Sequence, residues 1–180
     1  MLMISPSLAT HWFELFGLPV QFEVDQALLT QRFRALQTQF HPDRFANQSD
    51  VERRLAVQTT SLINEAYTGL KNPRLRARYL LEQAGSVLND ELDTIQDKGF
   101  LMQQMQWREA IDEALESVEP LEALDEVASE IQNANSVLYH EFAQAWDAQQ
   151  LEVAKQVVLK LRFYERLQEE IRRQQERLDV

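Results

Sequence analysis

An all-α fold is predicted by three features of this 180-residue chain. Glycine and proline are scarce, at four and five residues, which leaves few of the breaks that a turn-dense β architecture needs. Long runs are built from Leu, Ala, Gln, Glu and Arg, all good helix formers. Apolar residues recur every three to four positions through most of the chain, the spacing of one helix face. With 44% hydrophobic residues, there is ample material for a packed core in one or two small domains.

His11 to Phe16 reads as a short helix ended by Gly17 and Pro19. Asp25 can cap a helix running to about Phe40, with Leu29, Phe33, Leu36 and Phe40 on one apolar stripe. Pro42 pushes His41 out of helical geometry, and Ala46-Asn47-Gln48-Ser49-Asp50 supplies a loop and a new cap. A second long helix follows from about Val51 to Leu70, with Leu55, Leu62, Ile63, Ala66, Tyr67 and Leu70 facing inward, so that the two helices pair as an antiparallel hairpin. Pro73 opens another helix through about Gln83. These elements make a first domain of residues 1–84, and Gly85, Ser86 and Asn89-Asp90 begin a linker over 85–99. Three further helices are expected at about 100–118, 121–146 and 149–176. Leu121, Leu124, Ala128, Ile131, Leu138, Phe142 and Ala145 give the middle one a heptad-like seam, so residues 100–180 are predicted to form an antiparallel three-helix bundle.

Composition removes several classes of function. No cysteine is present, which excludes disulfides, a thiol nucleophile and any sulfur-ligated zinc or iron-sulfur site within the chain. His11, His41 and His140 lack ligand-like spacing, and no HExxH, GxSxG or Gly-rich phosphate loop occurs. A non-enzyme with no cofactor and no metal is expected. Met1 to Thr10 lacks a basic, apolar export signal, and no run approaches the roughly 18 apolar residues of a membrane span; a cytoplasmic bacterial setting without membrane contact is expected. Residues 1–84 carry nine Arg or Lys against eight Asp or Glu, whereas 85–180 carry nine against twenty-one. Two modules with different partners follow, and the acidic half disfavours nucleic acid. The run from Glu109 to Glu130 holds nine Asp or Glu and no Lys or Arg, and reads as a solvated face.

Phe40-His41-Pro42-Asp43-Arg44-Phe45 is the most informative stretch. Alone, His-Pro-Asp is ordinary turn chemistry; between two long amphipathic helices it becomes the tip of a hairpin. Trp12-Phe13-Glu14-Leu15-Phe16-Gly17-Leu18-Pro19 precedes it, and Ser61-Leu62-Ile63-Asn64-Glu65-Ala66-Tyr67 and Leu70 through Leu81 follow. Together these segments resemble a J-domain, and the FGLP start with a compact second module is similar to the HscB family of co-chaperones in iron-sulfur cluster assembly. The resemblance covers nearly the whole chain. It implies that the turn docks on an HscA-like ATPase chaperone of the DnaK type, with Asp43 pairing to a basic group, His41 adding a hydrogen-bonding contact and Pro42 fixing both. Arg32, Arg34 and Arg44 are candidate steering charges: Arg34 lies nearly opposite the apolar stripe and Arg32 on its flank. Gln31, Gln37 and Gln39 stand where general J-domains often carry a dense basic run, which implies weaker or more selective docking.

A helical wheel from Phe100 groups Phe100, Trp107, Ile111, Leu115 and Val118 as a core arc. Leu101, Met102 and Met105 fall on the other side, in line with Glu109, Glu113 and Glu116, an arrangement that calls for a partner. In the last helix Val157, Leu161, Tyr164 and Ile171 define the buried arc, with Leu159 and Phe163 off it. The resemblance places an IscU-like scaffold protein on Phe100 to Met105 and on Lys160-Leu161-Arg162-Phe163, so Leu101, Met102, Met105, Glu109 and Phe163 are the candidate client-binding residues. Gln106 stands where relatives carry a carboxylate. Two other readings remain: a helical adaptor or dimerising scaffold that uses the Leu101/Met105 patch on itself, and a hydrolase using His41 with Asp43, for which no nucleophile or oxyanion arrangement is visible. A monomer is expected in isolation.

Overall fold

The computed structural model describes residues 11–89, 94–95 and 97–179. Among them the secondary structure is entirely helical: α1 Trp12–Leu15, α2 Gln26–Phe40, a 3-10 turn Pro42–Phe45, α3 Asp50–Lys71, α4 Pro73–Gln83, α5 Lys98–Leu115, α6 Pro120–Asp147 and α7 Leu151–Leu178. The chain divides into two compact units, Met1–Leu80 and Leu81–Val180, the division falling inside α4.

In the first unit, α2 and α3 form the expected hairpin. The Asp25 side chain accepts from the Leu28 N–H at 2.9 Å and starts α2, because the first turn of a helix leaves its amides without partners. Ser49 starts α3 with a reciprocal capping box: its Oγ accepts from the Glu52 N–H and the Glu52 carboxylate accepts from the Ser49 N–H. Hydrogen bonds donated to the Glu52 carboxylate, first by the Ser49 hydroxyl at 2.6 Å and then by the Ser49 N–H, hold that carboxyl below its ordinary range. Gly17, at φ +61°, ends α1 in the left-handed conformation that side chains disfavour. Trp12 then stacks on Tyr79 with centroids 4.0 Å apart and planes within 5°, and the Trp12 N–H donates to the Tyr79 hydroxyl at 2.9 Å. Burial raises the Tyr79 pKa. The indole also covers Gly69, where a Cβ would sit 2.1 Å from Trp12 Cζ3. This position therefore needs glycine for space rather than for backbone freedom.

The buried arc of α3 differs at one end from the expected one. Leu55 is exposed, and Ala56 and Thr59 are buried in its place, ahead of Leu62, Ile63, Ala66 and Leu70. At the N-terminal end of α3 the buried arc therefore runs through Ala56 and Thr59 rather than Leu55. Of the α2 stripe Leu29 is fully buried, while Phe33, Leu36 and Phe40 are half-buried.

The second unit is the three-helix bundle. Its core is Phe100, Ile111 and Ala114 from α5, Leu124, Ile131, Leu138, Phe142 and Ala145 from α6, and Ala154, Val157, Val158, Leu159, Leu161, Tyr164, Leu167 and Ile171 from α7. The helix bounds correct three details. Asp97 caps α5 by accepting from the Phe100 N–H at 3.0 Å, so that helix begins at Lys98, and it ends at Leu115, before Val118. Val118 is 99% exposed and is not core; a helical wheel has no meaning beyond the end of its helix. The α6–α7 connection places Gln149 at φ +60°, which delays α7 to Leu151. Along the α6 seam Leu121 is exposed and Ala128 half-buried. The seam position between Ile131 and Leu138 is filled by Asn135, 1% exposed, with its Oδ1 lacking a hydrogen-bond partner. No described helix is long and apolar enough to cross a membrane.

Candidate functional site

The first candidate site is the hairpin tip. Pro42 has no N–H and cannot continue α2, so His41 takes extended geometry (φ −56°, ψ 129°) and serves both as the C-cap of α2 and as the N-cap of the 3-10 turn. The His41 carbonyl accepts from the Arg44 N–H at 3.0 Å, and His41 Nδ1 accepts from the Asp43 N–H at 3.3 Å. An Nδ1 acting as acceptor leaves the ring proton on Nε2, where it can be donated. Asp43 Oδ2 lies 3.6 Å from Nδ1, and the Asp43 side chain is 90% exposed. The turn thus presents a carboxylate in water beside an imidazole, with the Pro42 ring between them.

The stem is braced against α3. The Thr60 hydroxyl donates to the Phe40 carbonyl at 2.9 Å, satisfying one of the carbonyls left without an amide partner at the C-terminal end of α2. Gln37 Nε2 donates to Asn64 Oδ1 at 3.1 Å, and Phe33 stacks on Tyr67 with centroids 3.8 Å apart. The Tyr67 hydroxyl is held below its usual range, first by its hydrogen bond with Thr30 and then by the positive charges of Lys71 and Arg34. Arg44 Nη1 donates to the Thr38 carbonyl at 3.1 Å, which folds that guanidinium back over the end of α2. Arg34, Gln37, Thr38, His41 and Arg44 line one shallow concavity. Arg32 is exposed and is not part of that lining. Thr60 and Asn64, the braces from α3, were missed in the sequence; a hydroxyl and an amide on a helix flank carry no signal until the hairpin register is known.

The second candidate site lies on the bundle. Leu101, Met102 and Met105 are 44%, 67% and 65% exposed, Glu109 is exposed, and Phe163 is half-buried. A groove between α5 and α7 brings Leu101, Gln104 and Phe163 together, with Leu159 and Arg162 in its lining. Leu159 departs from expectation: it is 7% exposed, at the floor of a groove that Thr94, Ile95 and Leu101 also line. Phe163 meets Phe100 edge-on at 5.8 Å. Asp97 Oδ2 accepts from the Lys160 ammonium at 2.8 Å, and this bond, followed by that from the Phe100 N–H, lowers the Asp97 carboxyl below its ordinary value. Among the described residues no cluster of three or more His, Asp or Glu is arranged to hold a metal ion.

A helical hairpin with His-Pro-Asp at its tip, followed by a helical bundle, defines a J-domain co-chaperone. The comparisons narrow the class. The family described as "HSCB C-terminal oligomerisation domain" matches residues 96–172. A Co-chaperone protein HscB homolog from Shewanella loihica is 40% identical over 93% of this chain and 99% of its own length. Among solved structures, chaperone HscB from Vibrio cholerae superposes with a TM-score of 0.84 at 37% identity, covering 94% of this chain and 99% of that one. The human co-chaperone protein HscB gives the same TM-score at 28% identity, over 94% of this chain and 84% of its own. The chain belongs to the HscB co-chaperone family.

Proposed function

We propose that this protein is a bivalent adaptor that stimulates the ATPase of an HscA-like, DnaK-type chaperone and delivers an IscU-like scaffold protein to it. Residues 1–84 act as the J-domain, 85–99 as the connection and 100–180 as the client-binding domain. The observation that supports the reading most is the Asp43 carboxylate, exposed to water at a turn whose stem is hydrogen-bonded to α3. Such a group is prepared to meet a cation on a partner with little ordering cost. His41 contributes the Nε2 donor, Pro42 the geometry, and Arg34 and Arg44 positive charge beside them; Arg32 adds to the encounter field from the flank. In this reading hydrolysis takes place in the chaperone.

The client side rests on Leu101, Met102 and Met105, three large apolar residues left in water on an otherwise acidic helix face, with Phe163 beside them and Glu109 continuing the face. Thioethers adapt to an irregular partner surface. The test is reconstitution: chaperone ATPase is measured with this protein, with the scaffold, and with both. Stimulation by both that exceeds the sum of the separate effects is expected. A strictly additive result would contradict delivery. A second reading, self-association through the same patch, is favoured by the oligomerisation description of the matched domain; sedimentation across a hundredfold concentration range separates a constant monomer from a dimer.

A further inference from the structure

The two helices that carry the client-binding residues touch each other little. In the bundle, α5 meets α7 far more sparsely than either meets α6. Leu101 and Met105 on α5 and Phe163 on α7 can act as one face only if something fixes the head of α5 against α7.

The structure places one such device there. The Asp97 carboxylate is used twice: Oδ1 accepts from the Phe100 N–H at 3.0 Å, capping α5, and Oδ2 accepts from Lys160 Nζ of α7 at 2.8 Å. The Lys160 side chain is only 18% exposed, and its ammonium lies 5.4 Å from the Phe100 ring centroid. The Phe100 ring in turn meets Phe163 edge-on at 5.8 Å and Tyr164 at 5.7 Å. One carboxylate, one ammonium and one ring therefore connect the first turn of α5 to the stretch of α7 that bears Phe163. A partly buried pair with a shared hydrogen bond and a cation-π contact constrains more than an open surface pair.

We propose that Asp97 and Lys160 are positioning residues for client docking: they clamp the head of α5 to α7 and keep Leu101 and Met105 in register with Phe163. The proposal deepens the client-binding reading and rests on it. Both charges are engaged within the chain, Lys160 by Asp97 and by the Phe100 ring. Their contribution is the preorganisation of a surface built from two weakly packed helices.

The substitutions that isolate the clamp are Lys160→Met, which keeps an apolar stem beside Phe100 and removes the charge, and Asp97→Asn, which keeps a capping acceptor. Lys160→Arg restores a cation. Two readouts are taken on the full-length protein. Calorimetric titration with an IscU-like scaffold is expected to show binding weakened about three- to tenfold in Lys160→Met and Asp97→Asn, and restored to within about twofold in Lys160→Arg. Because the chain has no cysteine, nitroxides placed through Arg108→Cys on α5 and Glu170→Cys on α7 report the α5–α7 distance without the scaffold. That distribution is expected to broaden in Lys160→Met and to stay narrow in Lys160→Arg. An unchanged distribution in Lys160→Met overturns the clamp whatever the scaffold does. Wild-type protein that does not bind the scaffold overturns the client reading instead, and the distance measurement then decides the clamp alone.

Discussion

Met105 and Leu159 form a matched pair of perturbations, because both fall off the core arcs drawn from periodicity and the structure separates them. Met105 is 65% exposed, so about one third of its side chain is withdrawn from water. Full burial of a methionine contributes about 1.5–3 kcal/mol, so Met105→Ala is expected to cost about 0.5–1 kcal/mol of stability. Leu159 is 7% exposed, and Leu159→Ala loses nearly the whole transfer term and leaves a cavity, about 2–5 kcal/mol. At roughly 2–4 °C per kcal/mol for a chain of this size, thermal unfolding followed by circular dichroism resolves the two. Binding orders them the other way if Met105 is a docking residue. Titration with the scaffold should show Met105→Ala weakened about tenfold or more, the signature of a central interface residue. A loss of stability in Met105→Ala equal to that of Leu159→Ala, or unchanged scaffold binding, would refute the assignment of α5's outer face to the client.

Three further expectations address the scaffold of the fold. Gly69→Ala drives a methyl into the Trp12 indole, which is held by its stack on Tyr79; a destabilisation of about 2–4 kcal/mol with altered Trp12 emission is expected, and a neutral outcome would mean that the ring has room to move. Asn135→Leu replaces a buried amide oxygen that has no partner and is expected to raise stability by about 1–2 kcal/mol in urea titration, whereas a fall would show that the amide is satisfied in solution. The Asp97 carboxyl is lowered in the fold, chiefly by Lys160, so its contribution is present above the ordinary aspartate range and is lost as pH falls through the depressed value. Acid unfolding of wild type is therefore expected to depend more steeply on pH below that range than acid unfolding of Lys160→Met; superimposable profiles would contradict the pairing.

Much of this architecture was legible because local signals and tertiary structure agree. Asp25, Ser49, Pro73 and Pro120 open helices by capping or by a pre-set φ, and each does so where its chemistry alone places it. The exposure of Leu101, Met102 and Met105 followed from a wheel because α5 is regular across those residues. Failures occur where a one-dimensional pattern meets a neighbour it cannot see. Leu159 is buried beside a groove it shares with Leu101 and residues 94–95, Ala56 rather than Leu55 is buried at the start of α3, and Val118 lies past the end of its helix. Asn135 was passed over because a polar residue breaks an apolar pattern, although its position continues the seam. The Asp97–Lys160 pair joins residues 63 positions apart, and nothing in their local sequence links them.

The His-Pro-Asp turn is proposed to act on a partner's ATPase through groups placed by this fold. His41→Gln retains a polar side chain of similar reach, while it removes the Nδ1 acceptor that receives the Asp43 N–H and the Nε2 donor beside it. The direct measurement is the steady-state ATPase rate of the HscA-like chaperone with wild-type and His41→Gln protein, both checked for equal melting temperature. Strong stimulation by wild type and its near-complete loss in His41→Gln are predicted; equal stimulation by the two folded proteins would contradict the account.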